Sequence, residues 1–382
     1  MGRLVDKGPP AHRIWLPPLA EPPTLAQLLP PLSITPELGL STPGWPGRGR
    51  MQAVVGIIDR PFEQRRDPYW LDLSGAAGHV GVAGGPQSGK STVLRTLIAS
   101  MALTHTPAEV QFYCLDFGGG ALSGIEGLPH VGGVASRLDA DRVRRTVAEI
   151  AGVLQQRERL FTEQGVDSAA TYRRRIADGS LKGDGWGDIF LVVDGWLTIR
   201  QEFDALEPVI TDLAARGLGY GIHVVAATNK WSEFRPGIRD LFGTRVELKL
   251  GDAYESEINR KKSLAVPEGV PGRGLTRDGL HFLSALPRID GVQDAEDLTT
   301  GVQGLVTAVR DSWQGPPAKS VRLLPSVLPA ASLPGPEESG SRSRIAIGVD
   351  EATLSPCSST STPTRTSSCW ATTRAANPTC SR

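Results

Sequence analysis

The chain has 382 residues, 40% of them hydrophobic, so it is long enough for two average domains or one large domain with long flanks. Its 41 basic and 41 acidic residues balance, which removes the basic surplus that is typical of proteins that coat nucleic acid. The sequence contains no secretory leader and no run of about 18 apolar residues, so we expect a cytoplasmic chain without a membrane span.

The first 48 residues form a proline-rich segment. They hold 11 of the 30 prolines, which excludes a long helix and predicts an extended arm or linker. We expect this arm to pack onto a neighbouring domain, because it carries several large apolar side chains, namely Trp15, Leu16, Leu25, Leu28 and Leu29.

Residues 49–312 alternate between apolar strands and helices. The predicted strands are Met51–Ile58, Tyr69–Leu73, His79–Ala83, Val110–Leu115, Ile189–Val193, Ile222–Ala226 and Thr244–Leu248. The predicted helices are Lys90–Thr104, Asp139–Gln164 and residues 203–216. Apolar strands separated by helices are typical of a parallel sheet that is covered on both faces. We therefore predict one α/β domain with a mainly parallel sheet.

The C-terminal part of the chain changes in composition. Residues 313–343 are rich in Pro, Ser and Gly, which is typical of a linker. Residues 344–356 resemble the first strand of a further module. Residues 357–382 are rich in Ser and Thr and cannot build a core, so we predict that they are disordered.

A glycine-rich loop carries the strongest chemical signal. Residues 84–91 fit the pattern G-x-x-x-x-G-K-[ST], with an apolar strand before the loop and a helix after it. In this context the backbone N–H groups and the helix N-terminus bind phosphate, while a lysine reaches the β and γ phosphates and a serine ligates Mg²⁺. The predicted ATP-binding residues are Gly84, Gly85, Pro86, Gln87, Ser88, Gly89, Lys90, Ser91 and Thr92.

A second acidic ligand for the Mg²⁺ of an ATP complex is expected at the end of a neighbouring apolar strand. Asp194 directly follows the apolar strand Ile189–Val193 and fits this position. In many P-loop ATPases the next residue is a glutamate that polarises the attacking water, but here it is Gly195. Glu202 lies too far along the chain for a simple replacement. The sequence therefore predicts binding of ATP and Mg²⁺ with weak hydrolysis.

Four further features leave alternatives open. Residues 116–120 follow a strand and either line the site or form an ordinary strand-to-loop turn. Asn229, with Thr228 before it, ends another strand and is a candidate sensor of the γ-phosphate. Arg245 and Arg273 could reach the nucleotide of a neighbouring subunit, although a solvated surface position is the more common role of a single arginine.

Together these motifs resemble the FtsK/SpoIIIE group of P-loop ATPases, and within it the EccC-type ATPases of type VII (ESX) secretion. The resemblance spans roughly residues 8–350 and rests on Gly78–His79, Gly84–Ser91, Leu115–Gly120, Leu128–Gly132, Asp194–Trp196 and Pro271–Gly274. It implies a RecA/FtsK-like fold and the second of several tandem ATPase modules.

The resemblance also implies partners. EccC-type proteins couple ATP binding to the export of small helical WXG-type substrates, and they assemble as hexamers with other subunits of a membrane complex, at the inner face of the cell membrane. We expect no nucleic acid partner. The alternatives are an FtsK-like DNA translocase and a nucleotide-stabilised scaffold without turnover.

The sequence departs from that family after residue 356, where a third P-loop module is expected. Our hypothesis is a frameshift near this residue, which would make the tail an out-of-frame translation. Sequencing the locus tests it, since an uninterrupted frame that encodes this tail would disprove the hypothesis.

Overall fold

The computed structural model describes residues 16–47, 49–325, 327–335, 344–350 and 355–360. The predictions for residues 1–15 and 361–382 lie outside these ranges. The chain divides into two units, Met1–Val321 and Arg322–Arg382. Among the described residues, no helix combines the length and the apolar character that a bilayer span requires.

The described strands are β1 (Ser33–Thr35), β2 (Gly39–Ser41), β3 (Gln52–Arg60), β4 (Arg65–Asp72), β5 (Val80–Ala83), β6 (Val110–Asp116), β7 (Val131–Ser136), β8 (Asp188–Asp194), β9 (Ile222–Thr228), β10 (Thr244–Leu248), β11 (Arg273–Leu275), β12 (His281–Ser284), β13 (Arg344–Val349) and β14 (Pro356–Thr360). The helices are α1 (Leu25–Leu28), α2 (Lys90–Ala102), α3 (Ala140–Gln164), α4 (Ala169–Ala177), α5 (Trp196–Glu202), α6 (Leu206–Arg216), α7 (Pro236–Arg239), α8 (Arg260–Leu264) and α9 (Leu298–Ser312).

One mixed sheet organises the first unit. Its ten strands lie in the order β4-β3-β12-β11-β10-β5-β9-β8-β6-β7. The six strands from β10 to β7 run parallel, while β11, β12, β3 and β4 extend the sheet with antiparallel pairs. The predicted α/β class and mainly parallel sheet are confirmed. The antiparallel extension was not predicted.

Helices cover both faces of the parallel strands. Val192 packs in a core with side chains of α2 and α9, whereas Val193, the next residue, packs in a second core with side chains of α3 and α6. Successive side chains of a strand point to opposite faces, so a strand that is buried on both faces must be apolar throughout. Helix α3 begins after Asp139, whose carboxylate accepts the Arg142 N–H at 3.1 Å as an N-cap.

The described part of the proline-rich arm packs onto this domain. Leu25 is fully buried, and Trp45 stacks on Trp70 of β4 with ring centroids 4.0 Å apart. Arg273 Nη1 donates a hydrogen bond to Leu19 O at 2.6 Å, which fixes the arm beside β11. The described part of the arm forms only the short elements α1, β1 and β2, and its apolar side chains supply the attachment.

The C-terminal boundaries differ from the predictions. Residues 318–321 belong to the first unit, because Ala318 N donates to Pro129 O at 2.7 Å and Val321 is buried. In the second unit β13 pairs with β14 as an antiparallel hairpin. Residues 357–360, which were predicted to be disordered, therefore form most of a strand. Backbone pairing with a preceding strand needs no apolar core, so composition alone does not exclude it.

Candidate nucleotide-binding site

The glycine-rich loop joins β5 to α2 in an unusual backbone conformation. Gln87 has φ +56° and Gly89 has φ +99°, and a residue other than glycine at positive φ is uncommon. A Cβ on Gly89 would lie 2.8 Å from Gly272 N, so only glycine fits this position. Alternation of right- and left-handed residues turns successive N–H groups toward one point, which makes an anion-binding concavity.

Lys90 is the first residue of α2, and its amine lies at the mouth of the loop. Its Nζ donates to Gly84 O and to Gly85 O, each at 2.8 Å. Burial lowers the pKa of Lys90, and the carboxylates of Asp194 and Glu233 act in the opposite direction. The loop thus carries a partly buried cation at the position that the motif assigns to phosphate binding.

The two residues predicted to hold Mg²⁺ are in direct contact. Ser91 Oγ donates a hydrogen bond of 2.5 Å to Asp194 Oδ2. Asp194 ends β8 and is only 2% exposed. Burial raises the pKa of Asp194, and the nearby Asp116 adds to this effect, while the bond from Ser91 and the charge of Lys90 oppose it. A hydroxyl beside a carboxylate is a pair of hard oxygen ligands of the kind that Mg²⁺ prefers.

The remaining loop atoms also fit a phosphate chain. Ser88 is buried, and its Oγ has no hydrogen-bond partner among the described residues. A cavity of about 350 Å³ adjoins the loop, lined by Gly85–Ser88 on one side and by Lys249–Gly251 and Pro267–Pro271 on the others. An unpaired buried hydroxyl, a lysine and a glycine cradle are suited to an anionic ligand. Thr92 lies in the first turn of α2, near Arg95.

Gly195 cannot carry the missing carboxylate without strain. Its φ is +91°, and a Cβ there would lie 3.2 Å from Phe117 Cβ. Glu202, the distant alternative, pairs instead with Arg137 on the surface. Neither position provides a general base next to Asp194.

Residues 116–120 form a strand-to-loop turn and also border the site, so both alternatives that the sequence left open apply. The Asp116 carboxylate accepts backbone N–H groups from Gly118 and Gly120 at 3.2 Å and from Leu122 at 2.7 Å, so it holds the turn. The same turn borders the site, because a Cβ on Gly118 would lie 2.5 Å from Asp194 Oδ2.

Arg245 and Arg273 both have partners inside the chain. Arg245 pairs with Glu257, donates to Arg239 O at 3.1 Å and lies over the Trp231 ring. Arg273 holds Leu19 O. These contacts give each guanidinium a structural role. Neither side chain extends as an arginine finger toward the nucleotide of a neighbouring subunit.

Glu233 is an acidic residue at this edge of the sheet that the sequence does not predict. Glu233 Oε2 accepts hydrogen bonds from Thr228 Oγ1 and, at 3.1 Å, from Asn229 N. Asn229 is exposed and follows β9, the strand that lies between β5 and β8. Glu233 reaches the site through a turn four residues farther along the chain. No spacing rule in the sequence signals this contact.

Fold and site together define a class. A glycine loop between an apolar parallel strand and a helix, with a buried carboxylate from a nearby strand on the loop's serine, is the arrangement of the P-loop NTPases. The chain belongs to the FtsK/SpoIIIE family, which it matches over residues 48–290.

Comparison with individual members of the family shows a more specific similarity. The chain is 67% identical to the ESX secretion system protein EccC of Thermomonospora curvata over 93% of its own length, but it spans only 27% of that protein. It superposes on the cytoplasmic domain of the Thermomonospora curvata type VII secretion ATPase EccC with a TM-score of 0.87 and 66% identity, covering 94% of this chain and 42% of the other.

A second solved structure contains a ligand. It is Thermomonospora curvata EccC (ATPases 2 and 3) in complex with a signal sequence peptide. The TM-score is 0.86 at 67% identity, and the match covers 91% of this chain and 62% of that one. The resemblance to EccC-type ATPases that the motifs indicated is therefore confirmed.

Proposed function

We propose that this chain is an ATP-binding module of a type VII secretion ATPase, the second in a tandem series, and that it holds Mg-ATP while hydrolysing it slowly. The observation that carries the proposal is the Ser91–Asp194 hydrogen bond beside the glycine loop. The proposal of slow turnover rests on Gly195, where positive φ and the contact with Phe117 disfavour any side chain.

The chain's own residues suit this ligand. Lys90 and the loop amides would bind phosphate oxygens, and Ser91 with Asp194 would hold Mg²⁺, which offsets the phosphate charge when bound. With no carboxylate after Asp194 and with Glu202 on Arg137, no side chain at these positions orients or deprotonates water.

The partners of the complete protein follow from the relatives. One EccC structure is bound to a signal sequence peptide. By extension, we infer that the protein to which this module belongs couples ATP binding to recognition and export of small helical WXG-type proteins. In this proposal it works in the cytoplasm as a hexamer, held at the inner face of the membrane by the other secretion subunits.

Isothermal titration with Mg-ATP, beside a phosphate-release assay, tests the proposal. The wild type should bind ATP and release phosphate only slowly. Lys90→Ala should weaken binding at least about 100-fold, because charge-assisted hydrogen bonds to phosphate are lost. Lys261→Ala, at an exposed lysine of α8, is the matched control and should bind as the wild type does. Rapid phosphate release would refute slow turnover, and no binding by the wild type would refute the whole proposal.

A further inference from the structure

A rigid turn after β9 places a carboxylate at the nucleotide edge of the sheet. Glu233 ends the turn Trp231–Glu233, and the aromatic residues on its two sides, Trp231 and Phe234, are each 1% exposed. Arg200 Nη1 donates to Glu233 O at 2.8 Å. Buried rings and a charged hydrogen bond fix the backbone at Glu233. The position from which the Glu233 side chain extends is therefore fixed as well.

The carboxylate is linked to the glycine loop through one residue. Thr228 Oγ1 donates to Glu233, while Thr228 O accepts the Gly84 N–H at 3.2 Å. Strand register sets this link, since Thr228 of β9 pairs with Ala83, the last residue of β5. The order Gly84, Thr228, Glu233 is therefore a continuous hydrogen-bonded path from the loop to the turn.

The donors that Glu233 occupies are ones that a phosphate oxygen could also use. The Thr228 hydroxyl and the Asn229 N–H both donate to Glu233 Oε2. Glu233 also acts electrostatically on Lys90, the cation of the loop. A second anion near these donors and near Lys90 would meet the Glu233 charge at short range, and like charges that are only partly exposed to solvent repel each other.

We propose that Glu233 is a specificity-determining residue, whose charge opposes the terminal phosphate of a nucleoside triphosphate and so narrows the difference in affinity between ATP and ADP. The inference rests on the proposed function, since it assumes that the loop binds nucleotide. It goes beyond that function by assigning the ATP-to-ADP preference to a residue outside the loop and outside β8.

Glu233→Gln isolates the charge, because the amide oxygen still accepts from Thr228 and Asn229. Titrations with Mg-ATP and Mg-ADP should show ATP bound about tenfold more tightly than by the wild type, with ADP affinity changed much less. Glu296→Gln, the same substitution at an exposed glutamate, should leave both affinities unchanged. The melting temperature of each variant without nucleotide reports whether the turn has kept its structure.

The outcomes separate the two proposals. Wild-type ATP binding together with an unchanged ATP-to-ADP ratio in Glu233→Gln would overturn the role of Glu233 alone and leave it as a structural cap of the turn. Absence of ATP binding by the wild type would overturn both proposals. If Glu233→Gln does not fold, Glu233→Ala removes the same charge and must shift the ratio in the same direction.

Discussion

Strand β8 has a buried aspartate at each end, and the two carboxylates differ in their partners and in the direction of their pKa shifts. Asp188, at the start, accepts hydrogen bonds from Arg173 Nη1 at 2.5 Å and from His223 Nε2 at 3.1 Å. Burial alone would raise the pKa of Asp188, but the bond and charge of His223, aided by Arg173, hold it below its usual range. Asp194, at the end, accepts a hydrogen bond from the neutral Ser91 hydroxyl, and burial raises its pKa although the charges of Lys90 and Arg95 oppose this.

The difference distinguishes a carboxylate whose charge the fold neutralises from one that our proposal assigns to Mg²⁺. At the start of β8 the positive partners are built into the fold, so the carboxylate is neutralised by the protein. At the end of β8 the compensation is incomplete, and a bound cation would supply the rest. An under-compensated buried carboxylate beside an anion-binding loop is thus a better indicator of a ligand site than burial alone.

The largest expected effect on the free energy of unfolding comes from removing the Asp188 carboxylate, whose charge the fold neutralises. Asp188→Ala leaves Arg173 and His223 without their acceptor, and removal of one partner of a buried pair costs about 3–5 kcal/mol. Urea unfolding measures the loss. Asp212→Ala removes a half-exposed carboxylate from its surface pair with Arg216 and should change stability by no more than about 0.5 kcal/mol. Equal losses in the two variants would contradict the comparison.

Acid should lower the stability of the fold through His79, which lies at the same end of the sheet as Asp188. Its Nδ1 accepts Val224 N–H at 2.9 Å and its Nε2 lies 2.7 Å from Ala214 O, which fixes the neutral ring. Burial, with help from His223, lowers the pKa of His79 to about 4 from its ordinary 6.5. The unfolded chain therefore binds more protons between these values, so stability is full above the ordinary pKa and falls as the pH drops toward 4.

The loss from His79 should be on the order of 3 kcal/mol. Urea unfolding from about pH 7 to about pH 4 measures it. His79→Gln retains a donor and an acceptor but cannot gain a proton, so its stability should depend less on pH. An unchanged pH dependence would rule out this role of His79.

At the other end of β8, Gly195 should resist substitution. Gly195→Ala places a Cβ in left-handed backbone against Phe117 and should cost about 1–2 kcal/mol in urea unfolding. Gly152→Ala is the matched control. A Cβ on Gly152, inside α3, meets nothing within 4 Å, so this change should stabilise the protein by about 1 kcal/mol. An unchanged free energy of unfolding in Gly195→Ala would show that the backbone there accommodates a side chain.

The smallest effect has the opposite sign. Asp194→Asn removes an incompletely compensated charge and should therefore stabilise the nucleotide-free protein, which a rise in melting temperature would show. Because the pKa of Asp194 is raised, the ionised form destabilises the fold, and the gain in Asp194→Asn should develop as the pH rises from the ordinary pKa of aspartate to the raised one. Mg²⁺-dependent ATP binding should weaken in the same variant. Destabilisation by Asp194→Asn would contradict the contrast with Asp188.

Local sequence patterns predict much of this fold. The buried strands and α3 follow from apolar runs and from a stripe at helical spacing, which sequence displays directly. The antiparallel extension does not follow, because β11 and β12 have only three and four residues, and β12 pairs with β3, which is distant in sequence. Helix α9 is absent from the predicted elements, although Val302, Leu305 and Val309 recur at helical spacing and are buried.

The site divides in the same way. The loop and Asp194 are predictable, since a contiguous motif and a strand end have known roles in this class. Glu233 is not, because its place depends on the turn after β9 and on the register that sets β9 beside β5. The partners of Arg245 and Arg273 likewise depend on tertiary contacts, which leave no trace in spacing.

The stretch 318–321, which continues past the predicted domain end, has a practical consequence. It lies along β7, the outermost strand of the sheet, through Ala318 N to Pro129 O and Val321 N to Gly132 O, while Tyr113 Oη donates to Lys319 O at 2.6 Å. A shortened protein that stopped at residue 312 would bare Gly132 O on this edge strand and Pro129 O just before it. Unpaired strand edges recruit other chains, so such a fragment should aggregate where one that ends beyond Val321 does not.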